Sequence, residues 1–171
     1  MQMLIKQKFI FREDLQNNPK IYYLFGDNCH RVGLGGQAKE MRGEPNAIGI
    51  ATKISPSNTD KSFFSDDWVT MNKKIILKDF IILWKLIHKT ISLVNVVVPS
   101  DGLGLGLSDM ENRCPRTLRF LNHCLAETKK ILENQEQYDF NYLYDPECIY
   151  KYVEKYNAEL SYITYNEGDN S

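Results

Sequence analysis

A chain of 171 residues has the length of one domain and buries about two-thirds of its unfolded surface. An apolar fraction of 43% beside 25% charged residues excludes a disordered chain and suggests no membrane protein. A formal net charge of −1, with no run of five or six basic residues, excludes the electrostatic footprint of a duplex-binding protein.

The N-terminal stretch, residues 1–9, has no apolar core long enough for a signal peptide. Nothing in the chain approaches the roughly 18 apolar residues of a membrane span, so no membrane partner and a cytoplasmic location are expected. Residues 21–25 form a short apolar and aromatic run that stops at Gly26-Asp27-Asn28, the pattern of a buried strand ended by turn residues. A loop with Arg31, Gly33, Gly35, Gly36 and Gln37 follows, and then helix formers predict a short helix near Gly36.

Residues 46–53 predict a second short strand, closed by Ser55-Pro56-Ser57-Asn58. Ser65 or Asp66 suits the N-cap of a following helix, and residues 69–91 carry apolar positions at helical spacing among lysines. Residues 94–99 are a β-branched run of the kind buried in a parallel sheet. It discharges into Ser100-Asp101-Gly102-Leu103-Gly104-Leu105-Gly106-Leu107, after which a helix runs from about Glu111 or Pro115 to Glu133. From residue 134 the composition turns to tyrosine and acidic residues, with one helix expected over 146–159 and a frayed polar end at 166–171.

This alternation predicts a single three-layer α/β domain, Rossmann-like or macrodomain-like, with a largely parallel sheet and helices on both faces. Residues 1–133 form the nucleotide-binding body and 134–171 a C-terminal helical cap of the same domain. Ligands of such sheets bind outside the carboxyl ends of the strands, where both glycine loops fall. Clustered glycines let several backbone N–H groups face one anion, and a helix starting just beyond adds its dipole. Two such loops facing each other suit a diphosphate. Neither is a Walker A loop, and Gly102-Leu103-Gly104-Leu105-Gly106 lacks the GxGxxG spacing, which argues against a kinase, an ATPase or an ordinary dehydrogenase.

The expected ligand-binding residues are Gly26, Asn28, Arg31, Gly33, Gly35, Gly36, Gln37, Arg42, Lys53, Ser100, Gly102, Leu103, Gly104, Leu105 and Gly106. Arg31, Gln37, Arg42 and Lys53 supply polar or cationic contacts to phosphate or base. Asp27 and Asp101 are the candidate catalytic carboxylates, set against the blander reading of turn residues. Tyr138, Tyr142, Tyr144, Tyr150, Tyr152 and Tyr156 are candidates for stacking on an adenine, though such residues more often serve packing. His30, His88 and His123 have no metal-ligand spacing. Cys29, Cys114, Cys124 and Cys148 lie far apart without a CxxC pair and read as reduced thiols. No metal and no cofactor are expected.

Val96-Val97-Val98-Pro99-Ser100-Asp101-Gly102-Leu103-Gly104-Leu105-Gly106 resembles the apolar strand and phosphate loop of macrodomains, which bind ADP-ribose and in some members hydrolyse its derivatives. Phe25-Gly26-Asp27-Asn28 with Gly33-Leu34-Gly35-Gly36-Gln37-Ala38 is similar in layout to that family's strand, asparagine and glycine-rich loop. The same segments, with Met41-Arg42-Gly43-Glu44-Pro45-Asn46-Ala47, also resemble an uncharacterised group of bacterial and phage proteins. The Asn-Ala-Ala-Asn segment of catalytic macrodomains is absent.

The resemblance implies a cleft for ADP-ribose, NAD or a cyclic nucleotide, in a phage or bacterial protein that sequesters a signalling nucleotide as an anti-defence sponge or processes it. A hydrolase or glycosidase acting on an ADP-ribose or NAD derivative, with Asp27 or Asp101 as acid or base, is the second expectation. A protein-interaction module with structural glycine loops is the third. A homo-oligomer is left open.

Overall fold

The structure, a computed structural model, describes residues 2–90 and 92–168, with side chains as far as residue 163. Its centre is a four-stranded, all-parallel sheet in the order β1-β4-β2-β3, where β1 is Leu4–Gln7, β2 Ile21–Asn28, β3 Ala47–Lys53 and β4 Asn95–Pro99. Parallel neighbours require crossovers. These are made by α1 (Arg12–Asn17), α2 (Ala38–Met41) and α3 (Val69–Lys89); α4 (Met110–Arg113), α5 (Pro115–Glu133) and α6 (Cys148–Gly168) follow β4.

Period-2 alternation sends successive side chains of β2 and β4 to opposite faces, and both faces are apolar. Leu24, Val96 and Val98 join Phe80, Trp84, Phe120 and Leu121 in the larger core under α3, α5 and α6. Tyr23, Phe25 and Val97 join Leu15, Ala38 and Met41 in the smaller core under α1 and α2. Helices therefore cover both faces of the sheet, in three layers, as the sequence predicts.

The capping groups work across elements. Ser65 Oγ accepts from Asp67 N–H at 3.2 Å, and Asp66 caps the start of α5 by accepting from the N–H groups of Arg116 and Thr117 at 2.8 and 3.0 Å. Pro115 occupies the first turn of α5, where a missing N–H costs nothing. Two elements lie outside the sequence reading: β1, whose Leu4 to Gln7 pair with Val96 to Pro99, and α1. The C-terminal helix is longer than expected, reaching Gly168; residues 169–171 of the expected frayed end, and Ile91 at the end of the helix expected over 69–91, lie outside the described residues.

Candidate functional site

At the carboxyl ends of β2 and β3 lies a small cleft of about 150 Å³. Asp27 and Asn28 end β2, Lys53 ends β3, Val32 to Gly35 come from the first glycine loop, Arg42 from just beyond α2, and Leu107 and Ser108 from the second loop. The two loops meet here. A Cβ on Gly35 would stand 3.2 Å from Leu107 Cδ1, so a larger residue would push the loops apart. Ser108 Oγ lies 2.7 Å from Thr52 Oγ1, which in turn donates to the carbonyl of Asp27 at 3.2 Å.

Asp27 is buried and already engaged. Arg42 donates to its Oδ1 and Oδ2 at 2.5 and 3.2 Å, its Oδ1 also accepts the Asn28 N–H at 2.8 Å, and Arg31 approaches to 3.6 Å. Arg42 also donates to the carbonyls of Gly33 and Val32 at 2.8 and 3.3 Å. It is the tie that folds the first loop over the end of β2. The expected phosphate contact and the expected catalytic carboxylate therefore neutralise each other.

The Val32 and Gly33 carbonyls are thus taken up by side chains and those of Gly35, Gly36 and Gln37 by backbone N–H groups, whereas the loop's own N–H groups are not. Among the described residues, no protein acceptor meets a backbone N–H of residues 32–37, nor one of residues 103–108. Runs of unpartnered amides are the feature that favours an anion. The helix dipoles expected beside them are lacking, because α2 and α4 have only four residues each.

Arg31 faces another way. It adopts a left-handed backbone (φ 56°) and donates to the Gly49 carbonyl at 3.1 Å and to Asp79 Oδ1 at 2.5 Å. Asp79, on α3, also accepts the Ala51 N–H at 2.8 Å. Arg31 and Asp79 together occupy backbone groups of β3, an edge strand, and so blunt its capacity to pair with another chain. Burial pushes the Asp79 carboxyl above its ordinary value against the pull of Arg31. Sequence reasoning missed Asp79, which reads locally as one more polar residue on a lysine-bearing helix.

The remaining expected residues divide. Gly26, Asn28, Gly33, Gly35 and Lys53 line the cleft; Gly36 and Gln37 adjoin it without lining it. Of the second loop, Ser100 gives its N–H to Gln7 of β1 and Gly102 gives its own to Pro99, so these two amides belong to the sheet and a turn. Leu103 is core. Gly104 is buried with φ 84°, a conformation that suits glycine, and accepts from Met110 N–H through its carbonyl. Leu105, Gly106 and the exposed Asp101 lie outside the cleft, to which the loop instead contributes Leu107 and Ser108. Sequence reasoning did not single out Ser108, and its only signal was position after the glycines.

The tyrosines do not reach this cleft. Tyr138, Tyr142, Tyr152 and Tyr156 pack along α5 and α6, where Tyr138 donates to Glu127 at 2.7 Å and His123 Nε2 meets the Tyr152 hydroxyl at 3.0 Å. Tyr144 and Tyr150 are exposed. The four cysteines are free thiols, and no cluster of three or more His, Cys, Asp or Glu side chains suited to a metal is found among the described residues. No helix among the described residues is long and apolar enough to cross a membrane.

A family model described as a family of unknown function, DUF7831, matches residues 5–124. The chain belongs to this family. The matched stretch runs from β1 into α5 and holds every residue of the cleft, leaving α6 beyond it. No curated protein and no solved structure matches the chain.

Proposed function

We propose that this member of the DUF7831 family binds a phosphate-containing nucleotide, of the ADP-ribose, NAD or cyclic-nucleotide class, at the strand-end cleft. One observation carries the reading: two glycine-rich loops converge on one cleft, and the backbone N–H groups of the loop residues that line it, 32–35 and 107–108, are unpartnered. Loop amides of this kind bind phosphate oxygens without requiring a helix dipole. The cleft is smaller than the roughly 300–1,000 Å³ of pockets that enclose a whole drug-sized ligand, so part of a nucleotide lies outside it.

Sequestration is favoured over hydrolysis. A general base must come within hydrogen-bond reach of the attacking water, and the Asp27 carboxylate is buried, paired with Arg42 and already accepting three hydrogen bonds. The sponge role against a host signal is the form of this reading that a phage or bacterial source would give. The interaction-module reading is not favoured, because Tyr138, Tyr142, Tyr152 and Tyr156 are spent on packing and mutual hydrogen bonds.

Nitrogen-15 amide spectra during titration with ADP-ribose, NAD and cyclic dinucleotides test the proposal. The expected shifts centre on residues 32–35 and 107–108. Shifts confined to α5 and α6, or none with any ligand, would overturn it.

A further inference from the structure

Resting on the nucleotide-cleft reading, two buried groups narrow what the cleft takes. Lys53 is 6% exposed, and among the described residues no carboxylate lies within ion-pair distance of its ammonium. An ammonium has three N–H donors. Here Asn58 Oδ1 accepts one at 3.2 Å, and the Phe63 ring centroid lies 4.1 Å from Nζ. The other charge on that ring is also cationic, since Arg113 Cζ stands 3.7 Å from the same centroid. Burial, and then Arg113, lower the pKa of Lys53. A buried cation left in this state is costly unless an anion joins it.

On the same cleft, Asn28 is 8% exposed and donates through Nδ2 to the Val32 carbonyl at 2.7 Å. Its Oδ1 is buried and accepts from nothing. A buried acceptor without a donor keeps its full desolvation cost. Arg42 and Asp27 satisfy each other, and Ser108 is paired with Thr52. Beside the loop amides, what remains unmet among the polar side chains lining the cleft is one cation and one acceptor, in a space of about 150 Å³.

A phosphate monoester would answer Lys53 and the loop amides but, as a dianion, has no donor of its own for Asn28, and the single O–H of the inorganic dianion sits on the same group that Lys53 and the amides hold. A nucleobase brings donors but no negative charge. A sugar phosphate brings both in one compact unit. We propose that the cleft recognises a phosphorylated pentose, with Lys53 and the loop amides holding the phosphate and Asn28 Oδ1 accepting from a sugar hydroxyl. The base of a larger nucleotide then lies outside the cleft and contributes little to selection.

Calorimetry on the full chain with ribose 5-phosphate, inorganic phosphate, adenosine and ADP-ribose tests this. Ribose 5-phosphate is expected to bind about 10-fold or more tightly than inorganic phosphate, one hydrogen bond being worth about that factor, and adenosine not at all. Lys53→Gln is expected to weaken ribose 5-phosphate and ADP-ribose about 10- to 100-fold, the span of a charge-assisted hydrogen bond. Lys53→Arg, which keeps the charge, retains most of the binding and guards against a folding defect. Asn28→Ser is expected to remove the preference for ribose 5-phosphate over phosphate.

Adenosine binding in place of ribose 5-phosphate would overturn the inference while sparing the nucleotide cleft. So would ADP-ribose binding that Lys53→Gln leaves unchanged. Silence from all four probes, and from NAD and cyclic dinucleotides as well, would remove both readings.

Discussion

Replacing Arg42 by alanine tests whether the first glycine loop is held by a buried ion pair. The substitution removes donations to Asp27 at 2.5 and 3.2 Å and to the carbonyls of Gly33 and Val32 at 2.8 and 3.3 Å. It leaves Asp27, whose side chain is 4% exposed, with Arg31 at 3.6 Å and the Asn28 N–H. Removing one partner of a buried pair costs about 3–5 kcal/mol. Arg31 offsets part of this and Arg42 is itself one-fifth exposed, so the lower end applies, about 3 kcal/mol. For a domain of this size that lowers Tm by about 6–12 °C.

Urea unfolding followed by circular dichroism reads the loss directly. The double variant Arg42→Ala with Asp27→Asn removes the stranded charge and is expected to recover at least half of it, a coupling that independent sites do not show. A loss under about 1 kcal/mol, or strict additivity in the double variant, would refute the account of the loop.

Other outcomes follow from the same structure. Asp101→Asn alters an exposed residue outside the cleft and is expected to change stability by less than about 0.5 kcal/mol and nucleotide affinity not at all; lost affinity by calorimetry would restore Asp101 to the site. Thr128→Val removes the acceptor of the buried Trp84 indole N–H, 2.9 Å away, and is expected to cost about 1–3 kcal/mol in urea unfolding. His123 has its pKa lowered from 6.5, mainly by burial, so its neutral form is the one the fold favours. The stability it contributes is present above pH 6.5 and is lost as the pH falls below that value. The stability difference between the parent chain and His123→Gln should therefore shrink across that window, and a difference that grows would contradict the burial argument.

Much of the fold was legible because its central strands announce themselves locally. The run Val96 to Val98 is apolar on both faces, as a strand covered twice must be, and the turn residues after Pro99 mark where β4 ends, whereas β2 runs three residues past Phe25 through Gly26, Asp27 and Asn28, which read as a turn but pair with β3. β1 was not legible: four residues, two of them polar, acquire a strand's identity only by pairing with β4 about ninety positions away. The cleft was legible in part for the same reason. Glycines reveal where a backbone can turn, but their pattern does not say whether the amides serve a ligand, a turn or the sheet, and Ser100 and Gly102 went to the latter two. Asp27 read as catalytic because nothing local reveals that Arg42, fifteen residues on, reaches back to it.

The most direct test of the nucleotide reading is calorimetry of the intact chain with ADP-ribose, NAD and cyclic dinucleotides, followed by mass analysis of the recovered ligand. Micromolar or tighter binding of one ligand, recovered unaltered, is the result expected of a sequestering cleft; no heat with any of them would return both glycine loops to the role of turns, and a cleaved ligand would contradict the claim that Asp27 is not free to act.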